Sequence, residues 1–221
     1  MAHTLNQKLF AEFLGTAGIV TAVTGAGFMA TNLGADNTTA LMIIAIAAGA
    51  VLFGGISILA PISGAHFNPA VTVVLGLMKK ISARDGVAYV VAQLLGGFSG
   101  AVAANLMFGS AWVSANSTSR ASAGNLLGES IATFGLVLLV LLLIQHNQTQ
   151  LIAAGVGTWI LAAHFFTSST SFANPAVTFG RAFTDAITGI DLASLLPFIG
   201  VQLIGGLVAL GALRLLAVKS E

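Results

Sequence analysis

Apolar residues fill most of this chain in long blocks, and polar residues collect in the short breaks between them. Six blocks reach the roughly 20 apolar residues that a membrane-spanning helix needs. We therefore predict six transmembrane helices. The first is expected to be retained as a span, because its apolar block is too long for the core of a signal peptide. The predicted spans are residues 9–31, 40–60, 86–108, 126–145, 150–167 and 194–217.

Two further apolar segments, residues 68–80 and 174–184, are too short to cross a bilayer. At about 1.5 Å per residue each reaches roughly 16–20 Å, whereas the hydrocarbon core is ~30 Å thick. Both begin with the letters NPAVT. Asparagine caps a helix start, and proline suits the first helical position because its missing N–H would have no partner there. The pattern predicts two re-entrant half-helices.

The two halves of the chain repeat each other in order. EFLGT is answered by ESIAT, NPAVT by NPAVT, and VAQLLGG by GVQLIGG. Each half holds three spans, an odd number, so the second half enters the membrane from the opposite face. Small residues four apart in GGFSG and GGLVA predict close helix packing. We predict one channel domain, residues 1–221, made of inverted repeats 5–108 and 125–218 joined by an extracellular loop 109–124.

Half-helices that start inside the membrane need partners for their first N–H groups, since each bare polar group there costs several kcal/mol. If the two starts meet near the midplane, their positive dipole ends converge. The side-chain amides of the two asparagines are then expected to donate to a solute in a lumen, which would orient neutral hydroxylic solutes and repel cations. The predicted pore residues are Asn68, Pro69, Ala70, Asn174, Pro175 and Ala176.

The segments PISGAHF and TSSTSFA lead into the two half-helices and lack helical character. Irregular backbone at membrane depth must face something polar, so their carbonyl groups are expected to line the lumen. Glu12 and Glu129 lie in apolar spans, and we expect their carboxylates to accept N–H groups of these segments. The alternative is a proton relay, which intramembrane acids also suggest. The predicted backbone lining is Gly64, Ala65, His66, Phe67, Phe172 and Ala173.

Composition places the chain in a bilayer, with 57% hydrophobic and 7% charged residues, against about 25% charged in soluble domains. A formal charge of +1 without a basic stripe argues against a nucleic-acid partner. The chain has no cysteine, and its residues form neither a metal-ligand spacing nor a catalytic grouping, so we expect no metal, no cofactor and no enzymatic activity.

Lysine and arginine are distributed unevenly about the predicted spans. Positive residues favour the cytoplasmic side, so both termini are expected to be cytoplasmic. One side receives Lys8, Lys79, Lys80, Arg84, Arg214 and Lys219, and the other receives Arg120 and Arg181.

The stretches SGAHFNPAVT and SFANPAVT, together with AEFLGT and AQLLGG, resemble the aquaporin or major intrinsic protein family over essentially the whole chain. The resemblance implies an all-α membrane protein with six transmembrane helices, two re-entrant half-helices and inverted repeats. It also implies passive conduction of water or small neutral solutes, and a homotetramer with one pore per subunit. The expected location is a plasma membrane, here a bacterial inner membrane, in contact with lipid.

One position departs from that family's pattern. In most members an arginine directly follows the second NPA and forms a constriction with an aromatic residue and, in water-specific members, a histidine. Here Val177 stands in its place. Spacing to the two asparagines assigns the other three filter positions to Ala48, Ala162 and Ser171. Four small or apolar residues predict a wide, uncharged filter that passes solutes larger than water.

The run FFTSSTSFANPAVTFGR resembles a bacterial branch of the family that is linked to arsenic resistance. This resemblance implies glycerol, metalloid hydroxides such as arsenite, and methylated arsenicals as solutes. Three other functions remain open: a mainly water-conducting aquaporin, a coupled secondary transporter, and a structural membrane protein. A transporter would need a midplane ion site, for which the sequence offers few titratable groups.

Two polar residues near the predicted filter have roles that the sequence leaves open. Arg181 follows Asn174 by seven residues. It either neutralises the negative end of the second half-helix or lines an outer vestibule and attracts weak anions. His164 lies two residues, or about 200° of helical turn, from Ala162, so we expect it to face a neighbouring helix.

Overall fold

The computed structural model describes residues 3–216 as a bundle of helices. Six helices are long and apolar enough to span a membrane, in agreement with the prediction. The helices are α1 (Leu5–Asn32), α2 (Asn37–Ser63), α3 (Pro69–Leu77), α4 (Ala83–Met107), α5 (Ala123–Gln145), α6 (Ile152–Phe166), α7 (Pro175–Gly180) and α8 (Leu192–Leu216). Short 3₁₀ turns precede α6 at Thr149–Leu151 and follow α7 at Arg181–Phe183.

The half-helices α3 and α7 start where the sequence predicted but end earlier. In α3 the chain turns at Met78, and Lys79 takes a left-handed conformation with φ 58°. In α7 the helix tightens into a 3₁₀ turn from Arg181 onward. The predicted segments 68–80 and 174–184 are therefore too long at their C-terminal ends, because a run of apolar residues does not mark where a short helix stops.

Polar side chains cap the starts of six helices. Asn68 accepts a hydrogen bond from the N–H of Ala70, and Asn174 accepts from Ala176 and Val177, with proline next in line each time. The long helices α1, α2, α4 and α5 are capped by side chains of Thr4, Asp36, Ser82 and Ser122, so each begins three or four residues before its predicted start. These caps explain where the six helices begin, whereas α6 starts without a side-chain cap.

Glycines set the closest helix contacts, and they do so equivalently in the two halves. At Gly96 and Gly100, α4 lies against carbonyl oxygens of α1, too close for a β-carbon at either position. Gly205 of α8 lies in the same way against Ser130 of α5. These contacts belong to the two tightest pairs, α1 with α4 and α5 with α8. Small residues thus pack the helices as the GGFSG and GGLVA patterns predicted.

Alternation of the spans fixes two sides of the bundle. Residues 5 and 216 lie on one side, called here the terminal side, with Lys80 and Gln150. The loops at residues 33–36, 108–122 and 181–191 lie on the other, called here the loop side. The described residues do not include Lys219 or the bounds 1 and 221 of the predicted domain. They also do not include the predicted end of the last span at residue 217 or that of the second repeat at residue 218.

Candidate pore

The tips of the two half-helices are tied to each other in the middle of the bundle. The side-chain amide of Asn68 donates to the carbonyl oxygen of Ala173 at 2.8 Å. The amide of Asn174 donates to the carbonyl oxygen of Phe67, also at 2.8 Å. A side-chain amide carries two N–H donors, so each asparagine keeps one for the lumen. The sequence predicted only lumen-facing donors and missed this reciprocal tie.

The two lead segments, residues 64–67 and 167–173, share an unusual backbone. Residues 61–63, which the sequence analysis assigned to the first segment, are helical and end α2. Ala65 and Phe67 are left-handed, with φ near 49° and 48°, and so are Ser171 and Ala173, with φ near 50° and 49°. They stand at the same distances before their asparagines, three residues and one. A left-handed residue other than glycine costs roughly 1–2 kcal/mol. The cost is tolerated at both places only if neighbouring groups stabilise this backbone.

Two buried carboxylates provide that stabilisation. Glu12 accepts hydrogen bonds from the N–H groups of His66 at 3.0 Å and of Phe67. Glu129 accepts from the N–H groups of Phe172 and Ala173, both at 2.8 Å. These are the last two residues before each asparagine, so the carboxylates fix equivalent backbone in the two halves. The bracing geometry predicted for these two acids is present at both places.

A glutamine and a threonine complete each of these networks. Gln93 donates to Glu12 at 2.8 Å and to Thr72 at 3.0 Å. Gln202 donates to Glu129 at 2.7 Å and to Thr178, on the second half-helix, at 2.8 Å. Each carboxylate is therefore linked to its own half-helix through one side-chain amide.

A cavity of about 800 Å³ runs along the half-helices from Lys80 and Gln150 on the terminal side to Arg181 on the loop side. One group of lining residues belongs to the lead segments and the two asparagines. A second group is apolar and comes from the long helices. This group includes Ile19, Val23, Ile56, Leu136, Val140 and Ile160. The cavity therefore has both polar and apolar lining.

The cavity wall includes three of the four predicted filter residues, namely Ala48, Ser171 and Val177. Ala162 does not line it and is exposed instead, so that assignment was wrong. His164 lies on the wall, 3% exposed, with Nδ1 2.7 Å from the carbonyl oxygen of Ile160.

Helical phase explains the error. The lumen-facing stripe of α6 has helical spacing and runs through Ala153, Val156, Ile160 and His164. Counting back from Asn174 crosses an irregular segment whose length does not fix that phase. The expectation that His164 faces a neighbouring helix is likewise wrong, because the stripe that contains it lines the cavity.

Arg181 lies on the cavity wall at its loop-side end and is 3% exposed. Its Nε donates to the carbonyl oxygen of Thr188 at 2.5 Å. Its guanidinium carbon lies 3.3 Å from the centroid of the Phe172 ring. Arg181 also follows directly on the last residue of α7, so its position is compatible with both roles considered from the sequence.

The loop at residues 108–122 contacts the loop at residues 181–191 through hydrogen bonds. Arg120 donates to the carbonyl oxygens of Gly189 at 2.8 Å and Ile187 at 3.0 Å. Its guanidinium carbon lies 5.2 Å from the centroid of the Phe172 ring. Burial lowers the pKa of this guanidinium, and the charge of Glu129 opposes that effect. Two arginines thus lie near one aromatic ring at the loop side.

The model of the family described as "Major intrinsic protein" matches residues 2–172, well over half of the chain. The chain belongs to the major intrinsic protein family. It is therefore a multi-pass membrane channel and not an enzyme, and the six apolar helices agree with that class.

Similar proteins support the same conclusion. This family member is 42% identical over 210 residues to aquaglyceroporin AqpS of Rhizobium meliloti (strain 1021), covering 95% of this chain and 90% of that one. It is 35% identical over 207 residues to the probable aquaporin TIP2-2 of Oryza sativa subsp. japonica, covering 88% and 83%. The X-ray structure of the aquaglyceroporin from Plasmodium falciparum matches with a TM-score of 0.76 at 23% identity, over 94% of this chain and 95% of that one. That last likeness shows the fold.

Sequence reasoning missed several residues that brace or line the pore of this major intrinsic protein, and the repeat contained a signal for most of them. Gln93 and Gln202 stand at matching places in VAQLLGG and GVQLIGG. The apolar lining also repeats, because Ile19 and Val23 follow Glu12 by the same intervals as Leu136 and Val140 follow Glu129. Comparing the halves residue by residue would have identified both sets.

Proposed function

We propose that the protein is a passive channel for water and small neutral solutes, with glycerol and metalloid hydroxides such as arsenite among them. The observation that carries the proposal is the mixed lining of the cavity, which combines the lead segments and the two asparagines with apolar side chains of the long helices. A polyol can place its hydroxyl groups on the polar lining and its C–H groups against the apolar lining. Similarity to a protein named an aquaglyceroporin supports the same class of solute.

The proposed filter consists of Ala48, His164, Ser171 and Val177. Three of these side chains are small or apolar, and the arginine usual after the second NPA is absent. A solute therefore meets more space and one fewer strong donor than in a pore with that arginine. The relaxed filter extends the proposed range to methylated arsenicals.

His164 favours a second candidate, a mainly water-conducting pore. A histidine on the wall adds bulk and a polar group at the place where the sequence predicted alanine. If it narrows the passage enough, glycerol is excluded while water passes. The ratio of glycerol to water permeability separates the two candidates.

Orientation, location and assembly form part of the proposal. We place both termini in the cytoplasm, in a bacterial inner membrane, from the distribution of lysine and arginine about the spans. The family resemblance adds a homotetramer. The cavity described here lies within one chain, so each subunit would conduct by itself.

The test compares native protein with Val177→Arg in proteoliposomes, by stopped-flow measurement of water, glycerol and arsenite permeability. The arginine adds bulk and a donor at the wall, so we expect glycerol and arsenite flux to fall more than water flux. Val177→Leu, which adds bulk without charge, is the matched control for size. Equal loss for all three solutes, or no loss, would show that Val177 does not sit at the constriction. Native vesicles that pass water but neither glycerol nor arsenite would support the water-conducting candidate instead.

A further inference from the structure

Arg181 is a buried cation whose local partners leave most of its hydrogen-bonding capacity unused. A guanidinium carries five N–H donors, and its Nε donates to the carbonyl oxygen of Thr188. Phe172 covers one face of the group. A buried charge is costly without a partner of opposite sign. An anion bound next to Arg181 would therefore stabilise its guanidinium group.

The neighbouring acid is already engaged elsewhere. The two carboxylate oxygens of Glu129 accept from the N–H groups of Phe172 and Ala173. One of these oxygens also accepts from Gln202 at 2.7 Å. Glu129 therefore braces the lead segment, and moving it to Arg181 would release left-handed backbone.

The repeat shows that this position faces the lumen. Leu75 follows Asn68 by seven residues, as Arg181 follows Asn174, and both lie on the cavity wall. The equivalent pair three residues after each asparagine, Val71 and Val177, also lies on the wall. The two half-helices thus present the same two positions to the cavity, and a charge occurs at one of them, on the loop side.

A second polar group on the wall lacks a partner. The hydroxyl oxygen of Ser171 is buried without a hydrogen bond in the structure, and the residue is 2% exposed. It lines the same cavity as Arg181. A ligand oxygen at this place would give the hydroxyl the hydrogen-bond partner that the protein does not supply.

We propose that Arg181 and Ser171 form a binding site for a small carboxylate at the loop-side end of the cavity. The guanidinium N–H groups and the serine hydroxyl donate to the two carboxylate oxygens. His164 lines the same cavity. Its Nδ1 faces a carbonyl oxygen, which can only accept, so its Nε2 is the nitrogen left for a ligand. The proposal goes beyond conduction of neutral solutes and rests on the proposed function only in needing a lumen open to solvent.

Isothermal titration calorimetry with acetate and acetamide tests the site directly. The two probes have nearly the same shape, and acetate alone carries the charge. Acetate adds a Coulomb attraction to the guanidinium and accepts with two oxygens, whereas acetamide is neutral and accepts with one. We therefore expect purified native protein at fixed chloride concentration to bind acetate at least about tenfold more tightly than acetamide. Equal binding of the two probes, or no binding of acetate, would overturn the proposal.

Variants locate the site. Arg181→Gln removes the charge and should abolish the preference for acetate. Arg120→Gln is the matched control: it removes another arginine near Phe172, one held by loop carbonyls, and should keep the preference. Ser171→Ala should weaken acetate binding roughly threefold, as loss of one hydrogen bond predicts, without changing the melting temperature. If Arg181→Gln fails to fold, Ser171→Ala and the ratio of the two probes still decide.

Water and glycerol permeability of the same preparation separates this proposal from the proposed function. Normal flux without acetate binding would reject the carboxylate site and leave the channel function standing. Acetate binding that depends on Arg181, in a protein without solute flux, would reject the channel function and leave the site. Acetate binding that survives Arg181→Gln would contradict the site itself.

Discussion

The segment that leads into the first half-helix and the segment that leads into the second contain the same hydrogen bonds next to their asparagines. In each, a glutamate accepts the last two N–H groups, and the asparagine amide crosses to the opposite segment. Further from the asparagines the two segments differ. The first is short and held by its neighbours, whereas the second is longer and carries polar groups that face the cavity.

Several contacts hold the first segment. Ser63 donates to Glu12 at 2.7 Å, and the hydroxyl of Tyr89 donates to the carbonyl oxygen of Ser63 at 2.9 Å. The imidazole of His66 lies 3.1 Å from the hydroxyl of Thr72, with its ring centroid 5.1 Å from that of Tyr89. Polar groups in this segment are therefore largely satisfied within the protein.

The second segment replaces these contacts. At the place of His66 stands Phe172, which packs on Phe198 with ring centroids 5.3 Å apart and against the two arginines. At the place of Ala65 stands Ser171, whose hydroxyl lacks a partner. The shared part is what the fold needs to keep two helix starts inside a membrane. The part that differs leaves polar groups free for a solute, so we infer that selectivity resides mainly at the loop side.

The largest expected effect comes from breaking what the two segments share. Glu12→Gln and Glu129→Gln each place an amide NH₂ against backbone N–H groups that need an acceptor. Each should cost about 3 kcal/mol, since two hydrogen bonds to a charged group are weakened. Melting temperature in detergent and water flux in proteoliposomes measure the effect. The two variants should behave alike; tolerance of one and collapse of the other would show that the networks are not equivalent.

Removing the reciprocal tie should have the next largest effect. Asn68→Ala and Asn174→Ala each lose a helix cap and the bond to the opposite segment, together about 2 kcal/mol. They also lose a donor from the lumen, so proton or cation leak should rise. Thermal unfolding and a pH-sensitive dye in loaded vesicles measure the two consequences. A variant as stable and as tight as the native protein would mean that the tie contributes little.

The smallest expected effects on stability come from two serine substitutions, one beside the first lead segment and one within the second. Ser63→Ala removes a donor to Glu12 and an acceptor for the N–H of Ala65, so it should cost roughly 1–2 kcal/mol. Ser171→Ala removes a hydroxyl without a partner and should change stability by less than about 0.5 kcal/mol. Chemical or thermal unfolding of the pair gives the comparison. Equal losses would show that Ser171 has a partner in the folded protein.

Much of this architecture could be predicted from the sequence because the membrane restricts the choices. Six long apolar blocks and two short ones with the same Asn-Pro start leave little alternative to six spans and two half-helices. The repeat added the inversion, and Glu12 and Glu129 could be placed at the lead segments because those N–H groups needed acceptors.

Other features depend on helix orientation and on distances between segments, which the amino-acid sequence does not give directly. Helical phase decides which face of α6 meets the cavity. Counting residues back from Asn174 passes through an irregular segment and does not preserve that phase, so the sequence analysis assigned Ala162 instead of His164. The reciprocal bonds of Asn68 and Asn174 need the distance between two tips, which no single segment contains. The position of Arg181 depends on how the last turn of α7 tightens.

The bonds between the two tips join residues 105 and 107 positions apart in the chain. During synthesis the first half enters the membrane before Ala173 has been made, and the amide of Asn68 then has only water or a temporary neighbour to bind. The two half-helix tips can be joined only when the second half has inserted, and its insertion allows both hydrogen bonds to form. Insertion of this protein therefore ends with a closing step that neither half can perform alone.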